Sequence, residues 1–243
     1  MEVLAHRGNS GFLPENSMAS VRSAWDAGAD GVEVDVHMTR DGEVVVIHDA
    51  DTGRTGDRRL VVKDSTYDEL RAVDVGGGEA GDFAGERIPR LGEVIETLPA
   101  GKRLFVEVKC GGEIVQGLRR VIEGSGKEGQ IAVICLAADV LELAAGAMPG
   151  VKMYWVLGSR EDDDGEYAVY DDALIGGAAE RGFDGLDVYH EALTAEYVEK
   201  AKRAGLEIYV WGVNELAAAE RMLRIGVDGV TTDYPADVMR MPG

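Results

Sequence analysis

Short runs of β-branched apolar residues alternate with amphipathic stretches from one end of the chain to the other, the pattern of repeated βα units around a parallel sheet. Strands are predicted near residues 3–6, 31–38, 103–109, 130–136, 152–158, 185–189, 207–213 and 229–233, and helices near 15–27, 113–123, 138–147, 171–180, 195–203 and 215–224. The joints repeat as well. Ala27-Gly28-Ala29-Asp30-Gly31-Val32, Arg181-Gly182-Phe183-Asp184-Gly185-Leu186 and Ile225-Gly226-Val227-Asp228-Gly229-Val230 are three copies of one turn, with a reduced fourth at Ala204-Gly205-Leu206. In each, a glycine just past a helix can take the left-handed conformation that ends it, and an apolar strand follows. Eight strands with this punctuation predict an α/β fold, a closed (β/α)8 TIM barrel in one domain over residues 1–243, rather than an open doubly wound sheet.

One stretch breaks the rhythm. Asp41-Gly42 is a hairpin signal, and residues 43–49 after it read as an extra strand following the second barrel strand. Residues 50–90 are then polar and glycine-rich, with one helical piece near 66–73. An excursion from the C-terminal end of a barrel strand lies on the catalytic face of such a fold, so a small substrate-covering insertion is expected there.

Charge narrows the set of partners. The 243 residues include 25 Lys+Arg against 45 Asp+Glu, a net charge of −20. That balance argues against nucleic acid, whose binding depends on basic groups displacing condensed counterions, and against an anionic membrane surface. A small anionic substrate stays compatible, because a metal or a few local cations override the global field. No apolar run approaches the ~18 residues of a membrane span. The opening Met1-Glu2-Val3-Leu4-Ala5-His6-Arg7 also lacks the basic and apolar segments of a secretory signal. A soluble, cytoplasmic protein without membrane insertion is therefore expected. Cys110 and Cys135 read as buried free thiols, and Glu161-Asp162-Asp163-Asp164 as solvated loop.

The candidate chemistry stands out against the barrel pattern. Glu33-Val34-Asp35-Val36-His37 places polar side chains on one face of a strand expected to be apolar on both. Phe105-Val106-Glu107-Val108-Lys109 repeats the anomaly on the next barrel strand. Charges at inward positions are costly unless paired or bound to a cation. Glu33, Asp35 and Glu107 on adjacent strands make an oxygen-rich site suited to Mg²⁺ or Ca²⁺ and poor for zinc. The alternative is an ion-pair network closed by Lys109 and Arg7; three acids against two bases leave a surplus negative charge, which favours the metal. His6-Arg7-Gly8 ends the first strand and His48-Asp49 ends the extra one, so two histidines reach one rim, as acid–base catalysis near neutral pH requires. His37 reads as a neighbour of the metal site, and His190 equally well as a surface loop residue. Pro14-Glu15-Asn16-Ser17 looks like a capped helix start. Trp211 is either core or a flat wall for substrate. Thr231-Thr232-Asp233-Tyr234-Pro235 closes the last strand, where barrels anchor active sites, although Asp233 could equally be a helix cap.

Taken together, His6-Arg7-Gly8, Pro14-Glu15-Asn16-Ser17, Glu33-x-Asp35, Thr39-Arg40-Asp41-Gly42, Val46-Ile47-His48-Asp49, Glu107-x-Lys109, Trp211-x-Val213-Asn214 and Thr232-Asp233-Tyr234-Pro235 resemble the glycerophosphodiester phosphodiesterase family, in the family's order. The segments Arg54-Thr55, Thr66-Tyr67-Asp68-Glu69-Leu70, Asp74-Val75-Gly76 and Pro89-Arg90-Leu91 are similar to its insertion. The resemblance implies a (β/α)8 barrel that uses a divalent cation, Mg²⁺ or Ca²⁺ with Mn²⁺ as a further candidate, to hydrolyse glycerophosphodiesters to sn-glycerol 3-phosphate and an alcohol. It implies that Glu33, Asp35 and Glu107 bind the metal, that His6 and His48 are the acid–base pair, with His6 preferred as base, and that Arg7 and Lys109 hold phosphate oxygens beside Trp211. Ser17 stands where the family usually has Thr, and Gly212 replaces the usual Thr after Trp211. Two rivals are a related barrel phospholipase, for which no apolar or basic docking stretch is visible, and a non-catalytic barrel that binds a phosphorylated metabolite. The latter has no need of both histidines and carboxylates.

Overall fold

Eight parallel strands close on themselves. The computed structural model describes residues 1–77, 82–159 and 167–241, so the acidic run 161–164 lies outside the described residues. The strands are β1 (Glu2–His6), β2 (Gly31–Met38), β3 (Val44–Val46), β4 (Arg103–Val108), β5 (Ile131–Cys135), β6 (Lys152–Leu157), β7 (Gly185–Tyr189), β8 (Glu207–Trp211) and β9 (Gly229–Thr232). β1 pairs in parallel with both β2 and β9, which closes the ring through β4 to β8; β3 is an antiparallel appendage on β2. All eight predicted barrel strands form, and the extra strand is where the hairpin signal placed it. The helices are α1 (Met18–Asp26), α2 (Tyr67–Arg71), α3 (Leu91–Thr97), α4 (Val115–Ser125), α5 (Ala138–Ala147), α6 (Ala173–Glu180), α7 (Ala195–Arg203), α8 (Leu216–Ile225) and α9 (Pro235–Met239). The short α3 and α9 were not predicted, being too brief to show a helical period.

The repeated turn has a structural explanation that reaches past its capping glycine. Asp30, Asp184 and Asp228 each accept from the backbone N–H of a residue at the start of a neighbouring strand (Val3, Met153 and Ile208) and donate their own N–H to the same residue's carbonyl. The glycine after each aspartate faces the barrel axis. A Cβ at Gly185 would lie 2.1 Å from the Glu207 carbonyl, and one at Gly229 would lie 2.4 Å from the Tyr209 ring. That space is taken by Phe105, Tyr154 and Tyr209, whose ring centroids sit 4.8–5.3 Å apart. Arg103 closes the plug from below, donating to the Tyr209 hydroxyl at 2.9 Å and the Tyr154 hydroxyl at 3.1 Å. Outward residues such as Val32, Val34, Val36, Leu186 and Val188 pack under the helices in the main core. The lower barrel is thus filled, and open space is left at the C-terminal ends of the strands.

Two expectations need correction, and the open alternative for His190 is decided. The first helix begins at Met18, not at Glu15: Asn16 takes a left-handed conformation (φ 56°), and Ser17 caps the helix by accepting from the Ser20 N–H. His190 is buried instead of lying on the surface, with Arg221 donating to both its Nδ1 and its carbonyl. Both thiols are free, but only Cys135 is buried, and Cys110 is half-buried. The excursion after β3 builds a small core of its own from Val45, Ile47, Val62, Tyr67, Leu70, Val73, Val75 and Ile88. Among the described residues it contributes only His48 to the lining of the barrel-mouth cavity, so it anchors the rim more than it covers it.

Candidate active site

The strand ends bring together what the sequence held far apart. A cavity of about 300 Å³ opens at the barrel mouth, lined on one side by His6, Arg7, Glu33, His48, Glu107 and Lys109. Glu33, Asp35 and Glu107 each offer a carboxylate oxygen, all within 4.8 Å of one another. Glu33 and Asp35 are almost fully buried. Lys109 Nζ lies 2.9 Å from Glu107 and 3.5 Å from Asp35, while Arg7 Nε lies 3.1 Å from Asp35. Glu33 Oε1 and Asp35 Oδ1 are nevertheless buried without a hydrogen-bond partner among the described residues. The two bases therefore do not satisfy the three acids. Hard oxygen donors converging in this way fit Mg²⁺ or Ca²⁺.

The electrostatics report the same surplus. Burial, then repulsion from Asp35 and Glu107, pushes the Glu33 carboxyl well above its ordinary range despite the opposing Arg7. Burial also raises Glu107, against the pull of Lys109. Burial disfavours the Lys109 ammonium, but Glu107 and Asp35 outweigh it and hold the group above its usual value. The folded, metal-free protein thus binds protons at Glu33 and Glu107 more tightly than the unfolded chain, whose glutamates titrate near about 4.3. Its stability accordingly falls as pH rises from about 4 through the raised native values. Glu33→Gln relieves this repulsion. In EDTA at pH 8 it is expected to melt about 2–4 °C above the wild type, the shift that roughly 1 kcal/mol gives in a chain of this size. A lower melting temperature in calorimetry would show that the acids are satisfied by the bases alone.

Each rim histidine is held by a carboxylate. His6 Nδ1 lies 2.6 Å from Asp233 and His48 Nδ1 lies 2.7 Å from Asp49. An ionised carboxylate only accepts, so both rings carry a proton on Nδ1, leaving Nε2 as the free position in the neutral form. Asp233 is further held by Ser10 and Asn214, which are neutral donors. Burial would raise the Asp233 carboxyl, but the His6 bond and charge, with those donors, leave it lowered. Asp49 instead shares its charge with Arg54 at 2.6 Å. Arg54 also grips Glu15 at 2.7 Å, and Glu15 in turn holds Arg7 at 2.8 Å. This relay ties the excursion to the barrel. His37 donates to or accepts nothing in the carboxylate cluster: its Nε2 lies 3.0 Å from the His48 carbonyl and so positions the backbone of the second histidine.

Several site residues escaped the sequence reading. Asn16 donates to Asp35 at 2.8 Å and accepts from the Asp35 N–H, so the supposed helix start is a clamp on the carboxylate cluster. Asp233 is the orienting partner of His6. Asp187 is buried on the cavity wall, where burial and the Glu107 charge push its carboxyl up to about 8. Its one signal was a polar residue at an inward position of Gly185-Leu-Asp187-Val-Tyr189, the same anomaly that exposed Glu33. Trp211 does line the cavity, with its ring 4.7 Å from Tyr189. Gly212 stands at φ 79°, and a Cβ there would meet the Tyr189 ring at 2.9 Å, which accounts for the missing threonine.

Fold and site together define a barrel hydrolase, with carboxylate-held histidines flanking an acidic cluster at the mouth. Residues 6–237 match the model of the "Glycerophosphoryl diester phosphodiesterase family". The chain belongs to that family and is a phosphodiesterase. It is 31% identical over 256 residues to a glycerophosphodiester phosphodiesterase of Caldanaerobacter subterraneus subsp. tengcongensis, covering 98% of this chain and 96% of that one. A solved putative glycerophosphoryl diester phosphodiesterase from Silicibacter pomeroyi superposes with a TM-score of 0.88 at 27% identity, covering 99% of this chain and 92% of that one. A phosphodiesterase from Oleispira antarctica, solved in complex with the product sn-glycerol-3-phosphate, also gives 0.88, at 25% identity over 98% of this chain and 95% of that one. Among the described residues no helix is long and apolar enough to cross a membrane.

Proposed function

We propose that the family's reaction, hydrolysis of a glycerophosphodiester to sn-glycerol 3-phosphate and an alcohol, runs in the barrel-mouth cavity with a divalent cation held by Glu33, Asp35 and Glu107 and with His6 and His48 as base and acid. The observation that carries this reading is a pair of buried carboxylate oxygens without a hydrogen bond among the described residues, Glu33 Oε1 and Asp35 Oδ1, the latter facing only Lys109 at 3.5 Å, inside a three-carboxylate cluster. The product bound in the Oleispira antarctica relative supports the same substrate class.

The chain's own residues supply most of the steps. Arg7 and Lys109, fixed by their carboxylate partners, offer N–H groups to the non-bridging phosphate oxygens. His6 takes a proton from the attacking oxygen at Nε2, and the imidazolium that forms lies between Asp233 and Glu33, the latter 4.0 Å away. His48 delivers a proton to the departing alkoxide, and Asp49, shared with Arg54, keeps its ring aimed. A bound divalent cation would supply further charge stabilisation as the phosphoryl group gains negative charge. Trp211 forms a flat wall beside the substrate.

Coupling product release to a glycerol 3-phosphate dehydrogenase tests the reading directly. Glycerophosphocholine, glycerophosphoethanolamine and glycerophosphoglycerol are expected to release glycerol 3-phosphate and their free alcohol in equal amounts. Phosphocholine and glycerol as products would put the cut on the other ester bond and overturn the proposal.

A further inference from the structure

The cavity has two unlike walls. One carries the carboxylates, histidines and bases; the other, from the strands β5 to β9, presents Ile134, Leu136, Val156, Gly158, Trp211 and Thr231. Asp187 is the one ionisable side chain on this second wall among the described residues. β7 turns it inward by simple alternation, since Leu186 and Val188 on the other face pack in the main core. Only 3% of Asp187 is exposed, and its Oδ1 has no hydrogen-bond partner among the described residues. A buried carboxyl oxygen left without a partner costs stability that an apolar residue of the same shape would not. Among the described residues nothing compensates this one, and the cavity that Asp187 borders is where a partner can come from.

The chemistry of that partner follows from the wall. If phosphate sits against the cation side, as the proposed function requires, the remainder of the ester extends over Val156 and Trp211 toward Asp187. A group that is carbon along its length and carries an O–H donor suits such a surface. We infer that Asp187 is a specificity-determining residue, which accepts a hydrogen bond from a hydroxyl of the glycerol moiety and so selects glycerol esters over unhydroxylated diesters. Sites that bond a substrate hydroxyl reject analogues lacking it, because their buried polar group is then left unpaired.

Two diesters with the same leaving group isolate this effect: glycerol 4-nitrophenyl phosphate and propyl 4-nitrophenyl phosphate. The wild type is expected to prefer the glycerol ester by about 100-fold or more in kcat/KM. Asp187→Leu is expected to cut that preference to within about threefold by loss on the glycerol ester alone, with propyl turnover nearly unchanged. Asp187→Asn, whose amide oxygen still accepts, restores part of the preference. Since Asp187→Leu removes an unpartnered carboxyl, its melting temperature is expected at or above that of the wild type. Equal losses on both esters, or a preference that survives Asp187→Leu, would overturn the assignment. Failure of the wild type to cleave either ester would instead sink the catalytic reading on which it rests.

Discussion

Turnover of glycerophosphocholine in excess EDTA is expected to fall by about 10³-fold or more, and Mg²⁺, Ca²⁺ or Mn²⁺ in excess of the chelator to restore it. Metal-assisted charge stabilisation is worth several kcal/mol, and about 4 kcal/mol corresponds to 10³ in rate. The size of the effect follows from how little else can do this work. Arg7 is already engaged by Glu15 and Asp35, and Lys109 by Glu107 and Asp35. Two committed cations cannot neutralise three carboxylates and a dianionic transition state together. The negative charges concentrated at Glu33, Asp35 and Glu107 would otherwise repel the substrate phosphate. Glu107→Gln, which keeps the shape of the side chain, is expected to weaken cation binding in the same titration. Unchanged turnover in EDTA would mean that the cluster is an ion-pair network after all.

The second large effect concerns the histidines. His6→Ala and His48→Ala are each expected to lower kcat for glycerophosphocholine by about 10²- to 10⁴-fold, the usual contribution of a general acid or base. The leaving group separates their roles. A 4-nitrophenolate departs without protonation, so His48→Ala is expected to keep most of its activity on a 4-nitrophenyl diester. His6→Ala loses activity on both, because a proton must still leave the attacking oxygen. The reverse pattern would exchange acid and base; near wild-type turnover in both variants would remove the histidines from the mechanism. The different settings of the two rings favour the order given, since Asp233 serves His6 among neutral donors while Asp49 divides its charge with Arg54.

How much of this was visible in the sequence depends on the range over which each residue acts. The barrel strands were legible because apolar alternation and the recurring Gly-x-Asp-Gly joints are local signals, repeated often enough to fix the count at eight. Glu33, Asp35, Glu107 and Lys109 were legible because charge at inward strand positions contradicts the apolar pattern around it. Asn16 was hidden because a helix cap and a carboxylate clamp have the same local signature. The outcome there turns on a left-handed backbone at φ 56° and on a strand nineteen residues away. Arg54 was hidden for a similar reason: arginines in polar excursions are common, and only the packed excursion core brings this one to Glu15 and Asp49.

The sequence by itself determined the barrel, the inward placement of its acids and the delivery of two histidines to one rim, since each follows from local signals: the period of a strand, where it ends, and how often the unit repeats. Tertiary structure alone decided the pairings across elements. It set Asp233 against His6 over an interval of 227 residues, left Glu33 Oε1 and Asp35 Oδ1 without hydrogen-bond partners among the described residues, and gathered Ile134, Val156 and Trp211 of other strands around the inward Asp187. Closure of the barrel is the physical reason: it makes neighbours of the first and last strands and turns the inward side chains of all of them toward one cavity.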